Sequence, residues 1–563
     1  MRRTKHTPLL VACFLITVSV VATPQCPVGK FAASPYPGDQ FGRALSVSGD
    51  ELGVGGWGSA AVFVLDDNGT PMLAMDDAWL LQTAMYSPNP WDDNYGASVW
   101  LEADHLVVGA PTEGGIFGFG PGAAYIYRRV PNGHSPLDDG WVEQVKLAPL
   151  SGQSTGFGAS VCLSGDYAAI GALQDHVSSQ TSSFGTVHIY RRDDNGTPHE
   201  PTDDLWLEQA VVVSADSSYG RFGEVVRLEG KRLLVSAPYG LGAVYSFWRD
   251  DQGTPDDPLD DTWVEHAKVT APGAPGPARF GRALDFDGSL MAVGAVSGAY
   301  LFRLNDNGTP LDFADDSWTD EAALFASDSR SATVAYGSAV AVQGNLALVG
   351  DPVKDESEPF EPKYGATYVF RNDSGQAATP GSRWAEVTRL TPPMMPAREF
   401  GAAVRLDGIR AFVGEIGHFS FLPGGAKDWE AGAVWQYGLA VPPWSFVDAA
   451  LPGSGGLPSL MASGSLEGDA LTVISIDMDL AAAATALVIG LSALDAPFKG
   501  GVLVPQPDSV SWVMTDPSGQ VTLTGRWPQG VASHTELYFQ AWAIDPKGPV
   551  GLSATNAIRG ATP

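Results

Sequence analysis

Four stretches of the chain place acidic residues on both sides of a tight-turn sequence. One of them, RRDDNGTPHEPTDDLW from Arg191, has two aspartates before Asn-Gly and two more before a tryptophan. Carboxylate oxygens at this density are typical calcium ligands, because several carboxylates held close together repel one another without a cation. The candidate metal ligands are Asp66, Asp67, Asn68, Asp76, Asp77, Asp193, Asp194, Asn195, Asp203, Asp204, Asp250, Asp251, Asp260, Asp261, Asp306, Asn307, Asp315 and Asp316.

The same residues are also typical of a turn that binds nothing. Asp and Asn side chains accept hydrogen bonds from the backbone of a turn, Asn-Gly favours positive φ, and exposed carboxylates stay hydrated. The copies also differ, since the stretch near Asn372 has Ser382 and Arg383 where the second acidic pair is expected. Two interpretations therefore stay open: a structural turn, or a site for calcium, which is the one cofactor that the sequence suggests.

Motifs for catalysis are weak in this chain. Residues 152–156, GQSTG, have the spacing of a nucleophile elbow but fall in a loop between repeats, and the GxGxxG spacing that starts at Gly53 precedes no helix. His176 and His188 lie in one repeat without an acidic partner at a fixed spacing. We therefore predict no catalytic residues and no enzyme activity.

The acidic stretches belong to a larger repeat that must position them. After an aromatic-Gly anchor, each copy has a strand, a tight turn, a second strand that ends near Gly-Ala, a third strand, and a fourth strand near Asp-Asp-x-Trp. The anchors are Phe41-Gly42, Tyr95-Gly96, Phe157-Gly158, Phe222-Gly223, Phe280-Gly281, Tyr336-Gly337 and Phe400-Gly401. Four strands in each of seven repeats, about 60 residues long, predict a seven-bladed β-propeller.

The last repeat has no fourth strand of its own in the sequence pattern, because it breaks at Val441-Pro442-Pro443. The segment GKFAASPYPGDQFG before the first anchor matches VKLAPLSGQSTGFG before the third, so residues near Lys30 to Ser34 are predicted to complete the last blade. A closed ring leaves no exposed sheet edge. The innermost strands are expected to carry mostly small or apolar residues, such as Ala44.

Short motifs that accompany the anchors carry a family resemblance. They include Gly109-Ala110-Pro111, the looser Ser236-Ala237-Pro238, and Gly-Ala third strands such as Gly242-Ala243-Val244-Tyr245. Over residues 28–438 the chain resembles the FG-GAP repeat family, whose best-known members are the propellers of integrin α-subunits. The resemblance implies extracellular recognition and adhesion, often with calcium in hairpin loops. The Asp-rich calcium loop of the family lies between the first two strands of a blade, where this chain has only turns, so those ligands cannot be transferred.

The predicted fold class is all-β, with three segments along the chain. Residues 1–22 combine a basic start with an apolar run and are expected to be an export signal. Residues 26–440 are assigned to the propeller. Residues 441–563 contain five alternating apolar and polar segments, which predict a C-terminal β-sandwich.

Charge and composition restrict the function. Removing residues 1–22 takes away three basic residues and no acidic one, so the formal net charge changes from −31 to −34, which makes a nucleic-acid partner improbable. Two cysteines would then be left, too few for a disulfide scaffold. We expect a secreted or cell-surface binding or adhesion protein with a protein or glycan ligand and no membrane span in the mature chain. The alternatives are a propeller glycosidase or lyase with acids around its channel, and a structural envelope component.

Overall fold

The computed structural model is all-β in the part of the chain that it describes, apart from one 3₁₀ turn at Pro136–Asp138. By contacts the chain divides into two compact units, one containing Ala22–Leu439 and the other containing Ala440–Pro563. The described residues are 27–31, 39–66, 78–87, 93–115, 120–132, 136–149, 155–175, 185–197, 203–216, 220–254, 257–273, 279–296, 298–309, 313–327, 335–353, 364–372, 384–392, 399–408, 410–417, 420–421, 427–428, 431–439, 444–447, 451, 453–454, 458–463, 466, 471–478, 480–517, 519–529, 531, 535–548, 550–555 and 557–562.

The first unit contains seven four-stranded antiparallel sheets among its described residues, numbered here from 1 to 7 in chain order. The first strand of the chain is β1 (Pro27–Phe31), and it belongs to sheet 7. Sheet 1 is formed by β2 (Ala44–Ser48), β3 (Glu51–Gly55), β4 (Ser59–Asp66) and β5 (Ala78–Tyr86). Sheet 2 is formed by β6 (Ser98–Glu102), β7 (His105–Ala110), β8 (Ala123–Val130) and β9 (Gly140–Leu147). Sheet 3 is formed by β10 (Phe157–Ser164), β11 (Tyr167–Ala172), β12 (Thr186–Asp193) and β13 (Leu205–Val212). Sheet 4 is formed by β14 (Val226–Glu229), β15 (Arg232–Ala237), β16 (Ala243–Asp250) and β17 (Thr262–Val269). Sheet 5 is formed by β18 (Ala283–Phe286), β19 (Leu290–Ala295), β20 (Gly298–Asn305) and β21 (Ser317–Leu324). Sheet 6 is formed by β22 (Ala339–Gln343), β23 (Leu346–Asp351), β24 (Ala366–Asn372) and β25 (Trp384–Leu390).

Sheet 7 combines the two ends of this unit. Its strands are β26 (Phe400–Asp407), β27 (Arg410–Glu415), β30 (Ala433–Gly438) and, on the outside, β1. A short hairpin of β28 (Ser420–Phe421) and β29 (Lys427–Asp428) lies between β27 and β30 in the chain. Strand β1 runs antiparallel to β30 with Lys30 opposite Trp435. An N-terminal strand therefore completes the last sheet, although it begins three residues before the predicted segment, and residues 32–34 lie outside the described ones.

The tight turn between the first two strands of each sheet has the predicted backbone conformation. The residue seven positions after each anchor glycine has positive φ, as Gly165 shows with 57°. Sheet 2 keeps this conformation without glycine, since Ala103 has φ of 53°. Before the turn, the side chains of Phe157, Val161 and Leu163 are buried, in agreement with the alternation of the sequence.

Glycines in the second strands allow neighbouring sheets to approach closely. A methyl group on Gly109 would lie 2.0 Å from the carbonyl oxygen of Gly158, the anchor glycine of the next sheet. The equivalent pairs are Gly55 with Gly96, Gly171 with Gly223, Gly294 with Gly337, Gly350 with Gly401 and Gly414 with Gly42, at 2.0–2.2 Å. The last pair joins sheet 7 to sheet 1, so the seven sheets contact one another around a closed ring. Sheet 4 departs from the pattern with Ser236.

Side chains of most sheets also accept hydrogen bonds from backbone N–H groups at the inner edge of the next sheet. Among the described strands, the first strand of each sheet pairs with a strand on one side alone, which leaves backbone N–H groups on the other side. The side chain six positions after the anchor glycine accepts the turn N–H of the following sheet in five cases. These bonds join Ser48 to Ala103, Glu102 to Gly165, Ser164 to Gly230, Asp287 to Gly344 and Gln343 to Gly408, at 2.7–3.4 Å. The ring is therefore linked by hydrogen bonds as well as by apolar packing.

The tryptophans at the start of the fourth strands link the outer strands of neighbouring sheets. The indole N–H of Trp206 donates to the side-chain oxygen of Gln144 at 2.8 Å, and Trp263 donates to Gln209 at 3.3 Å. These contacts give the tryptophans of the Asp-Asp-x-Trp element a structural role between sheets.

The second unit consists of two larger sheets and a hairpin. One sheet contains, in order, β31 (Trp444–Val447), β41 (Ala557–Ala561), β39 (Glu536–Ile544), β34 (Ala484–Gly490) and β37 (Ser509–Met514), with β40 (Leu552–Ala554) beside β39. The other contains β32 (Ser459–Ser463), β33 (Leu471–Asp477) and β38 (Gln520–Arg526), and the hairpin is β35 (Ala493–Phe498) with β36 (Gly501–Pro505). Leu460 and Ile476 of the smaller sheet share one core with Leu487 and Phe539 of the larger sheet. In the alanine-rich run of residues 481–493, Ala484–Gly490 forms β34.

Candidate functional site

The acidic stretches connect the third and fourth strands of their sheets. Because neighbouring strands are antiparallel, these hairpins lie at the end of the sheets away from the aromatic-Gly anchors. The hairpins of sheets 3, 4 and 5 carry thirteen of the candidate ligands, all of them described. In sheet 1, Asp66 ends β4, and Asp67, Asn68, Asp76 and Asp77 lie outside the described residues.

The aspartates on the first side of each hairpin hold the turn. In sheet 3, carboxylate oxygens of Asp193 and Asp194 accept the backbone N–H groups of Asn195 and Gly196 at 3.0 and 2.9 Å. In sheet 4, Asp250 and Asp251 accept from Gln252 and Gly253, and in sheet 5, Asn305 and Asp306 accept from Asn307 and Gly308, at 3.0–3.2 Å. A backbone-binding carboxylate is the arrangement expected of a structural turn.

A threonine joins the two sides of each hairpin. The hydroxyl of Thr197 lies 2.9 Å from both carboxylate oxygens of Asp203. The hydroxyl of Thr254 contacts Asp260 in the same way, and that of Thr309 contacts Asp315, at 2.7–3.0 Å. The Thr197 hydroxyl also lies 2.9 Å from the Asp194 backbone oxygen, so the threonine links the turn to the aspartate on the second side of the hairpin.

In the hairpins of sheets 3, 4 and 5, the last aspartate has a buried side chain and pairs with an arginine. Asp261 accepts from the Tyr167 hydroxyl at 3.0 Å and lies 3.5 Å from Arg249. Asp204 lies 3.6 Å from Arg192, and Asp316 forms an ion pair with Arg232 of the preceding sheet. Among the described residues, no group of three or more His, Cys, Asp or Glu side chains is arranged to hold a metal ion. Calcium binding by the hairpins stays a prediction.

The glycine-rich catalytic motifs fall within the repeat or outside the described residues. Gly53 and Gly55 belong to β3, and the next described element after Gly58 is strand β4. Residues 151–154 of the GQSTG loop are outside the described part of the chain.

The opposite end of the sheets is formed by the loops from second to third strands and from fourth strands to the next anchor; we call it the loop face. Backbone bonds join the two kinds of loop, for example from Gln174 N–H to Thr155 oxygen at 2.8 Å and from Tyr239 N–H to Gly220 oxygen at 3.0 Å. The residue before the anchor aromatic has positive φ, between 49° and 58°, at Gln40, Asn94, Arg221, Arg279 and Glu399. Non-glycine residues adopt this conformation at a cost, so the surrounding contacts must hold these loops firmly.

Aromatic side chains of third strands, the partly buried Tyr125 and the buried Trp435, hold carboxylates near the loop face. The Tyr125 hydroxyl lies 2.8 and 2.7 Å from the Glu113 carboxylate oxygens, and Lys146 forms an ion pair with the same carboxylate. In sheet 7, the indole N–H of Trp435 donates to Glu415 at 2.6 Å. The loop residue Glu113 and the last residue of β27, Glu415, are thereby bonded to the third strands of their sheets.

Sheet 3 has a histidine at this anchoring position, and the structure corrects the sequence interpretation of it. His188 does have acidic partners: its Nδ1 lies 2.6 Å from Glu208 and its Nε2 lies 3.0 Å from Asp175. Burial opposes the charged form, but the hydrogen bonds to Asp175 and Glu208 outweigh it and raise the pKa of His188. The sequence could not show this, because both partners come from neighbouring segments of the folded sheet. His176 lies outside the described residues.

We expect His188 to make stability depend on pH. A raised pKa in the folded state means that the stabilisation is complete below the unfolded value of 6.5 and is lost as the pH rises through the folded value. In His188→Tyr, which carries the residue found at this position in sheets 2, 4, 5 and 6, that component should disappear. The thermal midpoint measured from pH 5.5 to 9 should therefore fall more steeply for the wild type. Equal slopes for the two proteins would contradict the expectation.

Apolar side chains are exposed on the loop face. Tyr239 and Leu241, in one loop of sheet 4, are 66% and 61% exposed, and Trp57 of sheet 1 is 39% exposed. The guanidinium of Arg43 lies 5.5 Å from the centre of the Trp57 ring. Exposed apolar residues on loops held by backbone hydrogen bonds, such as Tyr239 and Leu241, are typical of binding surfaces.

A central cavity of about 200 Å³ lies among the first strands of all seven sheets, near their anchor ends. Small side chains two positions after the anchor glycines line it, as predicted. The expectation of a small and apolar lining is nevertheless wrong in part, because the cavity is also lined by Arg43, Arg227, Arg282, Arg405 and Glu224. The sequence contains these residues, but which of them face the channel depends on how the sheets are arranged around it.

The fold and its repeated geometry define an all-β protein with a ring of four-stranded sheets, and the FG-GAP repeat family matches this chain at residues 141–190 and 318–370. The chain thus contains FG-GAP repeats, which confirms the resemblance found in the sequence. Each match runs from a fourth strand through the third strand of the next sheet, so the sequence repeat spans two sheets.

Comparisons with other proteins give little further detail. No curated protein matches the chain. Among solved structures, the chain is similar to PorZ, an essential surface component of the type-IX secretion system of Porphyromonas gingivalis, with 12% identity and a TM-score of 0.32, over 92% of this chain and 70% of that chain. No helix in the described part of the chain is long and apolar enough to span a membrane.

Proposed function

We propose that the chain is an exported binding protein whose seven sheets are the blades of a closed β-propeller, and whose loop face recognises an extracellular protein or glycan. The FG-GAP repeats and the close Gly414–Gly42 contact between the last and first sheets support a closed propeller. Export through residues 1–22 and a secreted or cell-surface location complete the proposal. Residues 441–563 would act as a β-sandwich spacer or attachment module.

The exposed apolar side chains of the loop face carry this proposal. Tyr239 and Leu241 present large apolar surfaces to solvent, and the backbone of their loop is bonded to Gly220. Aromatic side chains on a rigid loop lose little conformational entropy on binding, and such residues often dominate the binding energy of an interface.

Binding is favoured over catalysis by the lining of the channel. A glycosidase or lyase of this fold would need acids that face the substrate. The described channel side chains include four arginines and one carboxylate, that of Glu224, which forms ion pairs with Arg221 and Arg279. The nearby Asp285 carboxylate accepts from Arg227 at 3.1 Å and from the Val342 N–H at 2.9 Å. We therefore propose a protein without enzyme activity.

Calcium, if bound, would act at the other end of the sheets. The acidic hairpins lie away from the loop face, so an ion there would stabilise the fold instead of contacting a ligand at Tyr239 or Leu241. A bound ion raises the thermal midpoint by mass action. Comparing the midpoint in excess calcium with that in chelator tests this part of the proposal.

The loop face is tested by a double substitution with a matched control. In Tyr239→Ser/Leu241→Ser, binding to an array of extracellular polysaccharides and to intact cells of the producing species should fall at least about tenfold, because truncating central apolar contacts costs more than about 1.4 kcal/mol. The control is Leu259→Ser, which removes a side chain that is 78% exposed on the far hairpin of the same sheet. Equal binding by both variants would overturn the assignment of the loop face.

A further inference from the structure

We propose that the central channel binds a small oxyanion between Arg227 and Arg405. These arginines come from the first strands of sheets 4 and 7, and both line the central cavity. The site is separate from the exposed loops proposed above for the extracellular ligand, and it does not depend on that proposal.

The two arginines stand at a repeat position where other sheets have a side chain that accepts a hydrogen bond from the next sheet. Four positions after the anchor glycine, Ser46, Cys162 and Asp285 each accept a backbone N–H of the next sheet, at 2.9–3.1 Å. An arginine has no acceptor atom and cannot make this bond. Arg227 and Arg405 therefore take no part in this edge pattern, and both line the channel.

Arg227 is held in place by three groups. Its Nε donates to Asp285 at 3.1 Å, its Nη1 donates to the Val226 oxygen at 2.9 Å, and its guanidinium lies 5.3 Å from the centre of the Trp100 ring. The second oxygen of Asp285 accepts the Val342 N–H. Both oxygens of Asp285 thus have partners, and among the described residues no hydrogen bond joins this carboxylate to Arg405.

Arg405 has much less compensation for its charge. Among the described residues its guanidinium donates one hydrogen bond, from Nη1 to the Val404 oxygen at 3.2 Å, and has no carboxylate within 4.0 Å. Burial lowers the pKa of Arg405 to about 10, and the positive charge of Arg227 adds to the shift, while Asp285 opposes it. The group is thus still charged at neutral pH, beside a second cation and with most of its donors unused.

An oxyanion would supply what this site lacks. Two positive side chains that line one cavity repel each other, and a guanidinium binds planar or tetrahedral oxyanions through paired N–H donors. The cavity of about 200 Å³ has room for an ion of phosphate size with a few waters. The cavity is lined by four arginines and one glutamate, whereas the whole chain has a formal net charge of −31. The positive charge is therefore a local property of the cavity.

The probes are inorganic phosphate, sulfate and acetate, titrated calorimetrically into the full mature protein at low ionic strength. At least one should bind the wild type, and its dissociation constant should rise at least about tenfold in Arg405→Gln, the cost of losing a charged pair of hydrogen bonds. Arg405→Lys keeps the positive charge but loses the planar set of N–H donors, so its dissociation constant should rise less than that of Arg405→Gln. Preference for acetate over phosphate would identify the ligand as a carboxylate group.

The control is Arg559→Gln, which removes a half-exposed arginine of the second unit. This variant should bind the anion as the wild type does. The proposal is overturned if none of the three anions binds the wild type, or if Arg405→Gln and Arg405→Lys, shown to be folded by their circular dichroism, bind with unchanged affinity.

Discussion

In Gly414→Ala, the free energy of unfolding should fall by about 3 kcal/mol, because the added methyl group cannot fit without moving a neighbouring sheet. It would lie 2.0 Å from the carbonyl oxygen of Gly42, which is backbone and cannot rotate away. This contact joins the last sheet of the ring to the first, so we expect a lower urea midpoint together with faster proteolysis near residues 27–31. Both are measurable on the purified mature protein.

Gly140→Ala is the matched control for this substitution. Gly140 begins β9, has no atom within 4 Å of the added methyl position and does not need positive φ. Its stability should change by less than about 0.5 kcal/mol. If Gly414→Ala behaved like the control, the last and first sheets would not be in close contact.

Asp316→Asn should cost about 3–5 kcal/mol, since it leaves the buried guanidinium of Arg232 without its counter-charge. The loss should be the same in calcium and in chelator, because the ion pair makes no use of a metal. A larger loss in calcium would instead show that the carboxylate binds the ion. Urea unfolding under both conditions separates the two results.

Two further variants complete this test. Asp315→Asn alters the exposed carboxylate that accepts from Thr309, and we expect a loss of about 1 kcal/mol or less. Arg232→Met/Asp316→Leu removes both charges and should recover most of the stability lost in Asp316→Asn. Failure of this recovery would mean that Asp316 stabilises the hairpin through contacts other than Arg232.

Local patterns explain why much of the fold could be predicted. The alternation of Phe157, Val161 and Leu163 and the glycine turn at Gly165 are properties of neighbouring residues, and each is repeated along the chain. Repetition also revealed the missing outer strand of the last sheet, which Pro27–Phe31 supplies. A single repeat would have been ambiguous, whereas seven copies in order were not.

Partners from different sheets could not be predicted in the same way. Arg232 and Asp316 are 84 positions apart, and the two carboxylates beside His188 come from different segments of sheet 3. The pattern of acidic residues suggested shared ligands, but the structure assigns the hairpin aspartates to backbone N–H groups, threonine hydroxyls and arginines. Composition does not reveal which of these partners a carboxylate will meet.

The sequence by itself determined the seven repeats, their four strands, the turns and the strand from the other end of the chain, because these follow from hydrophobic period and glycine spacing. Only the tertiary structure decided which side chains meet around the axis. Arg227 and Arg405 are separated by three repeats, and they line the same channel because the ring of sheets is closed.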